Sequence, residues 1–177
     1  MISADVFDLD MMLTDLAALV EIESPSLDLD ALDASAVALG AMIDRHLGGA
    51  SELISSAAGP HVHWKGGGDP QVLILGHHDT VFPMGTLAKR PFDVTEGIAT
   101  GPGVFDMLGG IVQALHGLSR LDDLSGVELL FSADEEVGSV HSRELIEGRA
   151  RECGNVLVLE PSADGGSLKT GRKGCGT

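Results

Sequence analysis

Three short apolar runs, at residues 72–75, 127–131 and 156–159, each lead directly into a cluster of ionisable or polar side chains. Each run has the length of a buried strand and is bounded by turn-forming residues. A long loop and then a helical stretch at 107–121 separate the first two, and a helical stretch at 140–151 separates the last two. Strands alternating with helices predict an α/β domain, a three-layer αβα arrangement with a largely parallel central sheet. In open sheets of this kind ligands bind beyond the carboxyl ends of the strands, so the residues closing the three runs are expected along one rim.

Upstream, Phe7, Met11, Leu13, Leu16, Leu19 and Val20 recur at near-helical spacing and predict an amphipathic helix over 6–22. A second helix over 29–47 is expected to stop at Gly48-Gly49, because glycine tolerates the left-handed conformation that ends helices. Residues 51–55 and 61–65 are expected to pair as a hairpin. A chain of 177 residues with 44% hydrophobic content is sized for one core.

The charge balance narrows the partners. With 27 acidic against 11 basic side chains and a net charge of -16, the chain would repel a phosphate backbone, so neither nucleic acid nor an anionic membrane is expected to bind it. The acidic start lacks the basic and apolar segments of a signal peptide, and no apolar run could span a bilayer, which predicts a cytoplasmic protein. Cys153 and Cys175 lack metal-ligand spacing, so any metal must be held by histidine and carboxylate.

Gly76-His77-His78-Asp79-Thr80-Val81 follows the first run. On an extended segment His77 and Asp79 point to one side and His78 to the other. A carboxylate beside a histidine ligand fixes its tautomer, although the same tripeptide could equally form a surface turn. Gly101-Pro102-Gly103-Val104-Phe105-Asp106 delivers Asp106 just before a helix, where it could cap the helix, bind a cation, or do both. Its glycines do not match a dinucleotide or phosphate-loop fingerprint, which disfavours a nucleotide-binding domain. Asp134-Glu135-Glu136 ends the second run, where mutual repulsion raises carboxyl pKa values unless a cation sits among them, and Glu160 closes the third. Four strand-end or loop-end groups rich in histidine and carboxylate are difficult to explain as core or as surface.

Taken together, His77-His78-Asp79-Thr80-Val81, Gly101 to Met107, Asp134-Glu135-Glu136-Val137-Gly138-Ser139 and Leu159-Glu160-Pro161-Ser162 resemble a known family. It is that of the zinc exopeptidases and deacylases: bacterial glutamate carboxypeptidase, acetylornithine deacetylase, succinyl-diaminopimelate desuccinylase and aminoacylase. Glu160-Pro161-Ser162 and the closing Lys169-Thr170-Gly171-Arg172-Lys173-Gly174 resemble the glutamate carboxypeptidase branch most.

The resemblance implies a two-metal hydrolase of amide or peptide bonds next to a carboxylate, acting on a small peptide or an N-acyl amino acid. Carried over, His77 and Glu160 would bind one divalent ion, Asp106 would bridge, Glu136 would bind the second, Asp79 would orient His77, and Glu135 would be the general base. Zinc is the implied metal, with cobalt and manganese also suited. Glu135 would need a pKa near working pH, which neighbouring acids could supply.

The resemblance also implies that residues 1–168 are the front of a catalytic domain. Residues 169–177 would lead into a lid and dimerisation domain that this chain lacks, along with a last histidine ligand supplied after it. The chain is therefore read as truncated, inactive by itself, with a homodimer expected only of the full-length form. Leu108 stands where the family has lysine, which bears on a loop contact. A non-catalytic metal-binding or assembly protein that retains the fold is the alternative. His61 and His63 are expected on a partly exposed hairpin, His116 in packing or at the surface, and Arg172 and Lys173 in the hinge; His141 follows the acidic motif closely enough to reach the rim, but is read as a lone histidine without a role there.

Overall fold

The computed structural model describes residues 6–163 and 166–171. Helix α1 (Leu9–Val20) begins where the Asp8 carboxylate accepts the Met11 N–H, and α2 (Leu29–Leu47) begins in the same way with Asp28 and Ala31. Each cap satisfies a backbone donor that the first turn leaves unpaired. Gly48 ends α2 at the glycine pair as expected, but with φ 72° and ψ -177° it adopts a positive-φ extended conformation open to glycine and not the left-handed helical one.

The central sheet has the order β1-β2-β6-β3-β7. Its strands are β1 (Glu52–Ile54), β2 (His61–Lys65), β3 (Val72–His77), β6 (Val127–Ser132) and β7 (Asn155–Val158). Strands β6, β3 and β7 run parallel, with Ile74 opposite Leu129 on one side and Leu157 on the other. The β1–β2 hairpin joins antiparallel to β6. The long loop after β3 carries a two-stranded ribbon, β4 (Asp93–Thr95) and β5 (Ile98–Thr100), a feature the apolar pattern did not announce.

Alternation along the strands separates two faces. Val62, Trp64, Ile74, Leu129 and Phe131 form one core with Leu16, Leu39, Ile43, Ile111 and Leu115 of α1, α2 and α3 (Gly109–Leu118). Glu128 and His63 lie on the other face, where Arg149 of α4 (Arg143–Glu152) reaches Glu128. Helices thus cover both faces of the sheet, in three layers. Strand β7 is an edge, exposed along its length.

Two histidine expectations need correction. His61 and His63 are buried, not partly exposed. The Ala133 N–H donates to His61 Nδ1, and His63 Nε2 lies 3.1 Å from the buried Glu128 carboxylate, so the polar face of the hairpin is turned inward onto partners. His116 is also buried, against Asp15. Among the described residues no helix is long and apolar enough to cross a membrane. Of the expected linker, Lys169 to Gly171 are exposed, and residues 172–177, with Arg172, Lys173 and Cys175, lie outside the described residues.

Candidate metal centre

Strand β3 ends at His77, and the chain then turns so that two fixed partners hold the imidazole. Its Nδ1 donates to the Asp79 backbone carbonyl at 2.8 Å, and the Asp79 carboxylate lies 3.4 Å from the same nitrogen. This leaves Nε2 as the atom facing the rim, the arrangement a metal-binding histidine requires. Burial alone would push His77 down, but the hydrogen bond and charge of Asp79 outweigh it and raise the imidazole to about 9.

Around Nε2 stand Asp106 Oδ1 at 3.3 Å, Glu160 Oε1 at 3.8 Å and Glu135 Oε2 at 3.9 Å. The parallel register of β3, β6 and β7 brings these groups to one end of the sheet. His77 closes β3, Glu135 and Glu136 start the short helical turn Glu135–Val137 after β6, and Glu160 follows β7 by two residues.

Asp106 arrives differently, from the irregular turn Val104–Leu108 that leads into α3. It does not cap that helix, which starts without any side-chain cap hydrogen bond. Its extended backbone, φ -127° and ψ 98°, instead directs the carboxylate to His77. Gly110 allows the start of α3 to lie close to the Leu159 carbonyl: a Cβ there would stand 2.5 Å from that oxygen.

Five of the six predicted site residues therefore converge, and ligand atoms within 4.8 Å of one another define two overlapping sets. One is His77, Glu135 and Glu160, and the other is His77, Asp106 and Glu136. Burial first, and then the charges of Asp106 and Glu135, hold the Glu136 carboxyl above its ordinary range, against the pull of His77. Four carboxylates around one imidazole repel one another, and a divalent cation relieves that repulsion. Imidazole nitrogen with carboxylate oxygen also suits zinc, so the donor set fits such an ion.

The sixth residue, Asp79, sits behind the site. Its carboxylate accepts Ser26 Oγ–H at 2.7 Å and the N–H groups of Glu135 and Glu136 at 3.1 and 3.2 Å. Burial would raise it, but His77 and Ser26 hold it below the usual carboxylate range. His78 points away into the core, where its Nε2–H donates to the Pro60 carbonyl and its Nδ1 accepts from Ser35 Oγ–H, both at 3.0 Å. Burial lowers its pKa to about 4.

Sequence reasoning missed three supports. Ser26 anchors Asp79, Met107 Sδ lies 3.0 Å from the His77 N–H, and buried Asp134 accepts the N–H groups of His141 and Ser142. Asp134 and Met107 stood within motifs read from the sequence, though without a role of their own, whereas Ser26 carried no signal. His141 is exposed, and its backbone N–H is what bonds to that run.

A cavity of about 270 Å³ adjoins the rim, lined by His77, Glu135 and Glu160 and by Arg143 and Ile146 of α4.

Comparison with known proteins agrees with this geometry. The profile of peptidase family M20/M25/M40 matches residues 73–175. Carboxypeptidase G2 of Pseudomonas sp. (strain RS-16) is 42% identical over 106 residues, which cover 57% of this chain and 26% of that protein. Succinyl-diaminopimelate desuccinylase of Anaplasma marginale (strain Florida) is 35% identical over 98 residues, covering 54% of this chain and 23% of that protein. Among solved structures, the M20 family metallo-carboxypeptidase Sso-CP2 from Sulfolobus solfataricus superposes with a TM-score of 0.68 at 21% identity, over 86% of this chain and 37% of that one. Human carnosine dipeptidase 1 superposes with a TM-score of 0.65 at 18% identity, over 84% and 38%. The matches thus span about a quarter of these curated relatives and under two-fifths of these solved chains.

Proposed function

The chain belongs to peptidase family M20/M25/M40, and from that premise we propose that it carries the metal-holding rim of a hydrolase cleaving amide bonds next to a carboxylate. The observation that carries this reading is the convergence of Asp106, Glu135, Glu136 and Glu160 on His77, whose rim-facing nitrogen is already oriented. The names of its relatives, a carboxypeptidase and a desuccinylase, favour a peptide with a C-terminal acidic residue or an N-acyl amino acid as substrate.

In this reading His77, Asp106, Glu136 and Glu160 hold two divalent ions, zinc first. When bound, such ions polarise an amide carbonyl and make water acidic enough to act as a nucleophile near neutral pH. Glu135 serves as general base: its carboxylate is partly open to solvent and lies 3.9 Å from His77 Nε2. There it can take a proton from water and return it to the departing nitrogen. Asp79 orients His77 through its own backbone carbonyl and fixes both glutamates by their backbone.

Elemental analysis after dialysis tests the ligands: zinc bound to this chain should fall in Glu136→Ala. In the full-length protein, assayed on an N-acyl glutamate and a peptide ending in glutamate, Glu135→Gln should keep its metal and lose activity by a factor of about 100 or more. Full activity in Glu135→Gln would refute the assignment. Retained metal with no hydrolysis by the unmodified protein would favour a non-catalytic metal-binding protein.

A further inference from the structure

Away from the rim, three helices each contribute one side chain to a buried meeting point. Asp15 comes from α1, His46 from the last turn of α2 and His116 from α3. His46 Nε2 lies 2.7 Å and His116 Nε2 lies 2.8 Å from the same oxygen, Asp15 Oδ2. The two rings are 4.4 Å apart and tilted by 53°, so they approach that oxygen from different directions. All three side chains are under one-tenth exposed. Arg45 Nη2 donates to the other carboxylate oxygen at 2.8 Å.

We propose that Asp15, His46 and His116 form a second cation site that takes a divalent transition metal of the zinc class, separate from the rim. Two imidazole nitrogens and one carboxylate oxygen are a donor set such ions favour, and their atoms lie within 4.8 Å of one another. Around a tetrahedral zinc, neighbouring ligand atoms stand about 3.3 Å apart, so the Asp15 oxygen needs to withdraw by about half an ångström to admit the ion. Zinc would replace the hydrogens that now lie between the two Nε2 atoms and Oδ2, and water would fill the fourth position. Arg45 already provides the outer hydrogen bond that commonly steadies a ligating carboxylate.

A cation here would tie α1, α2 and α3 together on the sheet face that supports the Val104–Leu108 turn and Asp106. Its role is to brace the helical layer, because the trio adjoins no rim residue named above. The competing account is a purely hydrogen-bonded brace, in which both imidazoles donate into Asp15 without any ion.

The test uses the full chain with the rim disabled by Glu136→Ala and Glu160→Ala, so failure of the rim reading and of this one are distinguishable. Zinc or cobalt, added after chelation, should still bind at one equivalent. Saturating zinc should raise the Tm by about 5 °C, and cobalt should give the visible absorption of a tetrahedral site. Adding His46→Gln should abolish all three signals, as should His116→Asn. If the His116 variant fails to fold, His46→Gln at the end of α2 decides alone. No binding to the rim-disabled chain, or binding unchanged by His46→Gln, would overturn the proposal and leave the hydrogen-bonded brace.

Discussion

The Asp79 carboxylate accepts the backbone N–H of Glu136 at 3.2 Å, so the acid that sits against the His77 imidazole also sets the turn that presents the glutamates. It receives Glu135 N–H and Ser26 Oγ–H as well, three donors on one buried carboxylate. Asp79→Asn would place an amide NH₂ against one of these donors. Zinc affinity is expected to fall by about 10- to 100-fold. Stability should fall by about 1–3 kcal/mol, because buried donors lose their acceptor. Competition against a chelator and urea unfolding of the same variant read the two effects. Unchanged affinity would mean that Asp79 only packs.

Adjacent histidines make the metal-free protein sensitive to pH in opposite directions. His78, depressed to about 4, stays neutral in the fold while the unfolded chain protonates, so stability is complete above about pH 6.5 and declines as pH falls toward 4. His77, raised to about 9, contributes stability that is fully present below about 6.5 and is lost as pH rises through 9. Each effect amounts to about 3 kcal/mol at its limit. Chelated protein should therefore be most stable near pH 6.5 in denaturant titrations, and a flat profile from pH 5 to 9 would contradict both assignments.

The rim was legible because β strands transmit sequence order directly into position. Once residues 72–75, 127–131 and 156–159 read as parallel strands, His77, Glu135, Glu136 and Glu160 had to meet at one end. Contacts that bring distant segments together left no such trace. Ser26 reaches Asp79 across 53 positions, and His116 reaches Asp15 across 101. Neither has a periodicity or spacing to announce it. The burial of His61 and His63 was misread for the same reason: alternation gives the face a side chain occupies, whereas the distant Glu128 and Ala133 decide whether that face is covered. Asp106 was found, but its helix-capping role was not realised because the turn before α3 is irregular.

Helix α4 is held to the sheet by charge. Arg149 Nε and Nη2 fork onto the Glu128 carboxylate, which is 4% exposed and also faces His63, while no residue of α4 is itself fully buried. Arg149→Leu would leave that carboxylate without its permanent cation and should cost about 3–5 kcal/mol. Glu128→Leu with Arg149→Leu should cost less than the single arginine change, since the lone charge is gone. A double-mutant cycle in urea measures the difference, and additive losses would mean that the pair is not coupled.

Gly76 links the core to the rim. A Cβ at this position would stand 2.5 Å from Met107 Sδ and 3.0 Å from Phe131 Cδ1, and that same sulfur lies 3.0 Å from the His77 N–H. Both side chains are fully buried, but the sulfur is the nearer atom and the unbranched Met107 the more adaptable side chain, so Met107 is the side that must yield in Gly76→Ala, and Asp106 precedes it directly in the chain. Overpacking of this kind costs about 1–3 kcal/mol. Because the displaced residue adjoins Asp106, zinc affinity should fall together with stability. Gly76→Ala combined with Met107→Ala removes the clashing sulfur and should recover part of the affinity while remaining less stable than the unmodified chain. If Gly76→Ala lost stability but bound zinc normally, the turn carrying Asp106 would be independent of the core beneath it.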